Sequence, residues 1–175
     1  PARRIAFFGV SHPGDTATER SVADLIQPLA ERLKSDRSNW PRDLFLDDKA
    51  TKEQLSKLLG GGATPSLLLT ASHGVCLPSG VPFQGKHQGA LLCRDWPGEG
   101  RPALPQHYFS GDDLADEANL RGLIAFHFAC YSGGTPHLSN FADSSLGMPQ
   151  PVAPEPFTPP RPAPATPPPV PPAVR

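Results

Sequence analysis

Apolar runs of strand length, separated by stretches with helical periodicity, restrict this chain to an arrangement of alternating strands and helices. The three clearest runs are RIAFFGV (residues 4–10), SLLLTA (residues 66–71) and GLIAFHFA (residues 122–129). Runs so nearly continuous in apolar residues are typical of strands that helices bury on both faces. With a weaker run at residues 43–46, they predict a parallel α/β sheet with right-handed crossovers.

Two stretches between these runs have the pattern of amphipathic helices. The first begins with Thr16 and Glu19 at capping-box spacing, and it contains Pro28, which is expected to kink the helix. The second begins with Thr51 at the N-cap position and ends at the glycine run of residues 60–62. Both helices are expected to pack their apolar side chains against the sheet.

The composition of the chain changes at Met148. Residues 1–147 are predicted to form one domain, whereas the segment from 148 to 175 is roughly half proline. Proline supplies no backbone donor, so this segment is predicted to be an extended, disordered tail. Its PxxP spacings also fit a ligand for an SH3-like partner, and a passive spacer is the simpler interpretation.

Charge and cysteine usage exclude several classes of function. The 16 basic and 17 acidic residues nearly balance, which argues against binding to nucleic acid or to an anionic membrane. No apolar stretch approaches the roughly 20 residues that span a bilayer. Cys76, Cys93 and Cys130 show neither CxxC nor zinc-ligand spacing, which is typical of a reducing compartment. These features predict a cytoplasmic globular domain.

Two of the strands end in side chains of complementary chemistry. His73 and Gly74 follow the run at residues 66–71, and Cys130 follows the run at residues 122–129. If the two strands are neighbours in a parallel sheet, about 4.8 Å apart, both side chains emerge at the edge where α/β sheets bind ligands. A cysteine attacks as a thiolate, and an imidazole can accept its proton. The sequence therefore predicts a Cys–His dyad for acyl transfer, with the backbone N–H groups of Gly74 and Cys130 holding the oxyanion.

The other thiols and the second strand histidine have structural interpretations. A free cysteine at a strand end is often a buried packing residue, which is the alternative for Cys130 and the expectation for Cys93. Cys76 lies in a loop with no strand to position it. His127 is expected on the face opposite Cys130, as a hydrogen-bonded core residue.

Further motifs are weaker. Ser72 and Ser132 lack the G-x-S-x-G elbow of a serine hydrolase. The glycine-rich pieces LGGGAT and YSGGTP lack the Lys-Ser/Thr of a phosphate loop. The acidic stretch that starts at Ser110 is interpreted as the start of a short helix, because the spaced ligands of an EF-hand are missing.

Taken together, the motifs TASHG (residues 70–74) and FACYSGGTP (residues 128–136) resemble the CHAT domains of bacteria. These domains belong to the caspase-like cysteine peptidase clan, with gingipain-like and separase-like branches. The separation of His73 and Cys130 is similar to the spacing in caspases, although the chain reads F-A-C-Y-S-G where caspases have Q-A-C-[RQG]-G. The resemblance covers roughly residues 3–145, and it implies a caspase-like three-layer sandwich with strand order 2-1-3-4.

The resemblance implies a cysteine endopeptidase that needs no metal or cofactor and acts on a protein or peptide substrate. In that family His73 would be the base, Cys130 the nucleophile and Gly74 an oxyanion donor. Such domains are commonly parts of longer chains whose other modules sense a trigger. Asp15 and Asp143 are candidates for a pocket that binds a basic residue of the substrate.

The chain departs from this family after the nucleophile. Only about 18 residues separate Cys130 from the proline-rich segment, where the family has further strands and helices that build part of the substrate pocket. The sheet is therefore expected to be incomplete at its C-terminal end, with an exposed edge. The alternative function is a non-catalytic interaction module or a truncated pseudo-peptidase with the same fold.

Overall fold

A computed structural model of the chain describes residues 2–35, 39–78 and 81–132. The predicted proline-rich tail, Asp143 and the last part of the predicted domain lie outside these residues.

Six strands form two sheets in the described part of the chain. In chain order they are β1 (Ala2–Gly9), β2 (Arg42–Leu46), β3 (Pro65–Ala71), β4 (Leu91–Leu92), β5 (Tyr108–Phe109) and β6 (Ile124–Phe128). The main sheet is parallel, in the order β2-β1-β3-β6, and β4 and β5 form an antiparallel pair. The parallel α/β sheet predicted from the sequence is therefore present. Because β4 and β5 lie outside this sheet, β6 is its fourth strand along the chain, and the order agrees with the order 2-1-3-4 that the family resemblance implies.

Helices cover both faces of the main sheet, as the apolar runs predicted. They are α1 (Thr16–Arg20), a π-helical segment (Ser21–Ile26), α2 (Gln27–Ser35), α3 (Lys52–Leu58) and α4 (Gln84–His87), with short 3-10 turns at Asp47–Lys49, Pro105–His107 and Gly111–Asp113. On one face, Ile26 and Ala30 pack with Phe7 of β1. On the other, Leu55 and Leu58 of α3 pack with Phe8.

The first helix begins one residue earlier than the sequence predicted. Its N-cap is Asp15, whose Oδ1 accepts hydrogen bonds from the backbone N–H groups of Ala17 (3.1 Å) and Thr18 (3.3 Å). The predicted capping box of Thr16 and Glu19 is wrong. A carboxylate that accepts two free N–H groups of the first turn is a strong cap, and here it draws Asp15 into the fold.

A π-helical turn lies directly before the helix that contains Pro28, the residue where the sequence predicts a kink. The segment Ser21–Ile26 precedes α2, in which Pro28 is the second residue. Proline donates no hydrogen bond to the preceding turn, and an insertion of π geometry is one way in which a helix accommodates that loss.

The predicted N-cap of α3 is confirmed, because the Thr51 hydroxyl accepts a hydrogen bond from the backbone N–H of Gln54.

The prediction that the last strand is buried on both faces is wrong. β6 lies at the edge of the main sheet, and its alternate side chains Ile124, Phe126 and Phe128 are 69%, 59% and 51% exposed. They share a sheet face with the β3 residues paired to them, but the π-helical segment and α2 cover that face over β1 and do not bury β6. The composition of a run reports how apolar a strand is, whereas its burial depends on what lies beside it.

The short helix predicted from Ser110 forms as a single 3-10 turn, Gly111–Asp113, with Ser110 as its N-cap. The Asp113 carboxylate accepts hydrogen bonds from the backbone N–H and the hydroxyl of Ser110, and it forms an ion pair with Lys52. Asp112 pairs with Lys86 of α4. These contacts pair the acidic side chains of the turn with lysines of α3 and α4.

Among the described residues, no helix is both long enough and apolar enough to cross a membrane.

Candidate active site at the carboxyl edge of the sheet

The pairing of β3 and β6 brings the predicted dyad to one edge of the sheet. The two strands are parallel, and their last paired residues are Ala71 and Phe128. The pairing continues one step, because the N–H of Ser72 donates to the carbonyl oxygen of Phe128 at 3.2 Å. His73 and Cys130 each follow two residues after the last pair, so they occupy equivalent positions on neighbouring chains.

The backbone at Gly74 is in direct contact with Cys130. A Cβ atom at position 74 would overlap the carbonyl oxygen of Cys130 and would also lie 2.8 Å from its carbonyl carbon. Contacts of this kind with backbone atoms cannot be relieved by a side-chain rotation, so position 74 requires glycine. The predicted association of the His-Gly pair with Cys130 therefore rests on close approach of two backbone segments.

The structure joins His73 to Asp15, a pair that sequence reasoning did not identify. The His73 Nε2 atom lies 2.5 Å from Oδ2 of Asp15, whose side chain is only 5% exposed. Burial of the Asp15 carboxyl raises its pKa, but hydrogen bonds from His73 and Thr18 outweigh burial, and the pKa of Asp15 is lowered. One carboxylate thus caps α1 through Oδ1 and holds the imidazole through Oδ2.

Both carboxylate oxygens of Asp15 are therefore engaged. Asp15 is not free to bind a basic residue of a substrate, which is the role considered for it above. The signal that could have found its role was its place in the sequence. Asp15 lies shortly after β1, and β1 neighbours β3 in the expected strand order, so the carboxyl ends of both strands meet at one edge.

The residue after the candidate nucleophile has an unusual backbone. Tyr131 has a φ of 59°, in the left-handed region that non-glycine residues seldom adopt. A Cβ atom at Gly89 would overlap the Tyr131 carbonyl oxygen, so glycines at positions 74 and 89 both make room for the backbone of residues 130–131. The Ser132 hydroxyl donates to the carbonyl of Ala129 at 2.8 Å and closes this turn.

The segment after β3 is fixed by its pairing with residues 89–92. The His73 carbonyl accepts from the N–H of Leu92 at 2.9 Å, and Gly74 forms an antiparallel bridge to Leu91. The N–H of Val75 donates to the carbonyl of Ala90 at 2.9 Å. The backbone before His73 is therefore bonded to the end of β6, and the backbone at His73 and after it is bonded to β4. These bonds fix the position of the His73 backbone from which the imidazole extends.

A second histidine, His12, is buried next to this pair. It is 2% exposed, neither ring nitrogen has a hydrogen-bond partner, and its ring packs edge-on against Trp96 with centroids 5.0 Å apart. Burial, followed by the charge of Arg94, lowers the pKa of His12. The His12 carbonyl accepts from the N–H of Asp15, so this residue helps to fix the loop that carries the carboxylate.

His127 is hydrogen-bonded and Cys93 is buried, as the sequence predicted. His127 is partly buried, and its Nδ1 lies 2.8 Å from the hydroxyl of Thr70. Cys93 is fully buried, and burial raises the pKa of its thiol to about 12. Cys76 and Cys130 are both exposed. The thiol next to His73 in the sheet is therefore accessible, and the packing thiol is not.

One further histidine–carboxylate pair lies outside this site. His87 is 8% exposed, with Nδ1 2.8 Å from the Tyr108 hydroxyl and Nε2 2.9 Å from Asp112. Both of its ring nitrogens are engaged, and its partners tie α4 to the turn after β5. In the described part of the chain no cluster of three or more His, Cys, Asp or Glu side chains could hold a metal ion.

Comparison of the chain with protein-family models, with curated proteins and with solved structures gave no match.

Proposed function

We propose that this chain is a cysteine endopeptidase domain that cleaves peptide bonds of a protein partner, with Cys130 as the nucleophile and His73 as the base. The observation that carries the proposal is the equivalent placement of these residues beyond β6 and β3, with Gly74 against the Cys130 backbone. The resemblance to CHAT and other caspase-like peptidases, and a sheet order that agrees with it, support the same reaction and a caspase-like sandwich. The three unpaired cysteines fit the reducing cytoplasm.

The chemistry follows from the side chains at this edge. His73 accepts the thiol proton of Cys130, and the thiolate attacks the carbonyl carbon of the scissile bond. The backbone N–H groups of Gly74 and Cys130 donate to the oxyanion of the tetrahedral intermediate. His73 then gives its proton to the leaving amine, which departs. A water molecule, deprotonated by His73, hydrolyses the thioester and restores the Cys130 thiol.

Asp15 is a positioning residue in this scheme. Its contact with Nε2 of His73 leaves Nδ1 as the nitrogen that exchanges a proton with Cys130. The carboxylate also stabilises the imidazolium that forms when the thiolate is generated. Because Asp15 is itself fixed by the first turn of α1, the histidine is oriented before substrate binds.

The first test is the alkylation of the three thiols by iodoacetamide from about pH 5 to about pH 9, read by peptide mass spectrometry. We expect Cys130 to be alkylated faster near neutral pH than the exposed thiol of Cys76, and His73→Ala to slow this reaction. Cys93 is an internal control, because a buried thiol should stay unmodified while the protein is folded. A peptide library then gives the cleavage preference.

An inert Cys130 in the folded protein, or one whose reactivity is unchanged by His73→Ala, would overturn the peptidase proposal. Circular dichroism of His73→Ala establishes that the variant is folded before its reactivity is interpreted. Cleavage of a library peptide by the wild type but not by Cys130→Ser is the positive outcome.

A specific observation also favours the second candidate function, a non-catalytic interaction module. The exposed side chains of Ile124, Phe126 and Phe128 form an apolar stripe on β6, and such stripes mark protein-binding surfaces. In that case Cys130 would alkylate like an ordinary exposed thiol, and binding of a protein partner would survive Cys130→Ser and fail with Phe126→Thr.

A further inference from the structure

We propose that Cys130 is a site of reversible oxidation and that Cys76 is the thiol that resolves it, so that a hydroperoxide links the two in a disulfide. The regulatory consequence rests on the proposed function, since the disulfide would switch off the nucleophile. The modification itself needs no peptidase activity.

The first argument is accessibility. Cys76 and Cys130 are exposed, whereas Cys93 is fully buried. Oxidation by peroxides follows exposure and thiolate character, and a base next to an exposed thiol supplies the second. Cys130 follows β6 at the position equivalent to His73 on β3, so it is the thiol expected to react first.

The second argument is placement. Residues 74 and 75 are paired with residues 89–91, so the chain is extended here and alternate side chains point the same way. A Cβ atom built on Gly74 would point at the backbone of Cys130. Cys76 lies two residues farther along the chain, at a distance of at most about 7 Å. The side chain of Cys76 is thus directed to the same side as the backbone of residues 130–131.

A contact agrees with this direction. Hydrogen bonding with the Cys76 side chain, followed by its charge, raises the pKa of Tyr131. Tyr131 directly follows Cys130 in the sequence. The Tyr131 backbone packs against Gly89, and Gly89 belongs to the segment that pairs with residues 74–75. Two chain segments that each carry an exposed thiol are therefore in backbone contact at this point.

The chemistry balances with a hydroperoxide as the oxidant. The Cys130 thiolate attacks the terminal oxygen, the O–O bond breaks, and the alkoxide takes a proton to leave as an alcohol, or as water when the oxidant is hydrogen peroxide. The Cys76 thiolate then attacks the sulfur of the Cys130 sulfenic acid. The S–S bond forms, and hydroxide leaves and takes up the proton that Cys76 lost. Two thiols and one peroxide give one disulfide, one alcohol and one water, and a dithiol reverses the change.

The experiment uses hydrogen peroxide as the probe on the whole folded chain at neutral pH. Digestion without reductant, followed by mass spectrometry, is expected to give the peptide pair linked through Cys76 and Cys130, with Cys93 unmodified. After treatment with dithiothreitol the Cys130 thiol should be recovered nearly completely. In Cys76→Ser the same exposure should carry Cys130 on to the sulfinic and sulfonic acids, so that its thiol is not recovered.

Three results would overturn the proposal: equal recovery of the Cys130 thiol in wild type and Cys76→Ser, a disulfide that joins two chains, or oxidation of Cys76 before Cys130. A non-reducing gel separates linkage within a chain from linkage between chains. The failure of the two proposals is distinguishable. A 76–130 link without cleavage of any library peptide keeps this inference and removes the peptidase, whereas cleavage without the link does the reverse.

Discussion

Asp15 shows how a single residue couples the start of a helix to the candidate chemistry. Its two carboxylate oxygens have separate tasks, since Oδ1 accepts from the first turn of α1 and Oδ2 holds His73. Asparagine is nearly as good an N-cap as aspartate, but it carries no charge. An Asp15→Asn substitution therefore removes the negative charge next to His73 and keeps the N-cap of α1.

We expect Asp15→Asn to slow the alkylation of Cys130 near neutral pH and to lower peptide cleavage by about 10²–10⁴-fold, the range for loss of a general acid–base contribution. The free energy of unfolding should change little at neutral pH. The matched control is Asp112→Asn, which removes the carboxylate from the His87 pair outside the site. Equal effects of the two substitutions on Cys130 would show that the Asp15 contact has no special role.

Gly74 is the second residue whose identity the geometry dictates. A Cβ atom there overlaps backbone atoms of Cys130, so we expect Gly74→Ala to force the ends of β3 and β6 apart. The predicted loss of stability is about 1–3 kcal/mol, as for other overpacked positions. Urea denaturation measures it, with Gly85→Ala in α4 as the control, because no heavy atom lies within 4 Å of a Cβ there. A Gly74→Ala protein as stable as Gly85→Ala would refute the close approach.

At the scale of elements, local patterns predicted the strands well because apolar runs and caps are local signals. The N-cap at Thr51 and the sheet strands at residues 4–10 and 66–71 are found within two residues of their expected bounds. The failures come from tertiary contacts that no local pattern reports. The apolar run at residues 122–129 predicted a strand buried on both faces, but β6 lies at the edge of the described sheet with Phe126 exposed.

The candidate site shows the same division. Strand-end motifs were enough to predict that the chain segments carrying His73 and Cys130 leave the sheet at the same edge, because parallel strands bring their carboxyl ends together. The contact of His73 with Asp15, the burial of His12 and the approach of Gly89 to Tyr131 each depend on the path of a loop between elements. Loop paths of this kind have no periodicity from which they could be predicted.

The apolar stripe on β6 leads to a prediction for this element. Because Phe126 is more than half exposed, Phe126→Thr should leave the free energy of unfolding nearly unchanged while it reduces self-association of the chain. Threonine is chosen because it fits a strand. Sedimentation velocity over a concentration series measures the association.

The control for this element is Leu68→Ala in β3. Leu68 is fully buried, so its truncation should cost about 2–5 kcal/mol and leave the stripe intact. If Phe126→Thr destabilised the protein as much as Leu68→Ala, the stripe would be part of the core and not a surface.

For the whole molecule, the order of the strands determines which loops can cooperate. β1, β3 and β6 are consecutive in the sheet, so the residues that follow them, Asp15, His73 and Cys130, arise at three neighbouring positions of one edge. β2 lies on the far side of β1 and contributes nothing to this arrangement. In the proposed mechanism, this order lets the carboxylate hold the imidazole and the imidazole take the thiol proton.

The buried thiol of Cys93 predicts how the stability of the whole fold responds to alkaline pH. Burial, followed by the charge of Asp95, raises the thiol pKa from 9.0 to about 12. The unfolded chain therefore loses this proton at a lower pH than the folded chain does. The contribution to stability is complete below pH 9.0 and is lost progressively as the pH rises towards about 12.

Urea denaturation of the wild type and Cys93→Ala across this range tests the response. At neutral pH the variant should be less stable by about 0.5–3 kcal/mol, because it removes buried atoms. This difference should shrink as the pH rises, since alanine has no proton to lose. The exposed thiol of Cys76 supplies the control, and Cys76→Ala should follow the wild-type curve at a constant offset. A constant offset for Cys93→Ala as well would mean that Cys93 ionises as readily in the folded protein as in the unfolded chain, and that water reaches this part of the core.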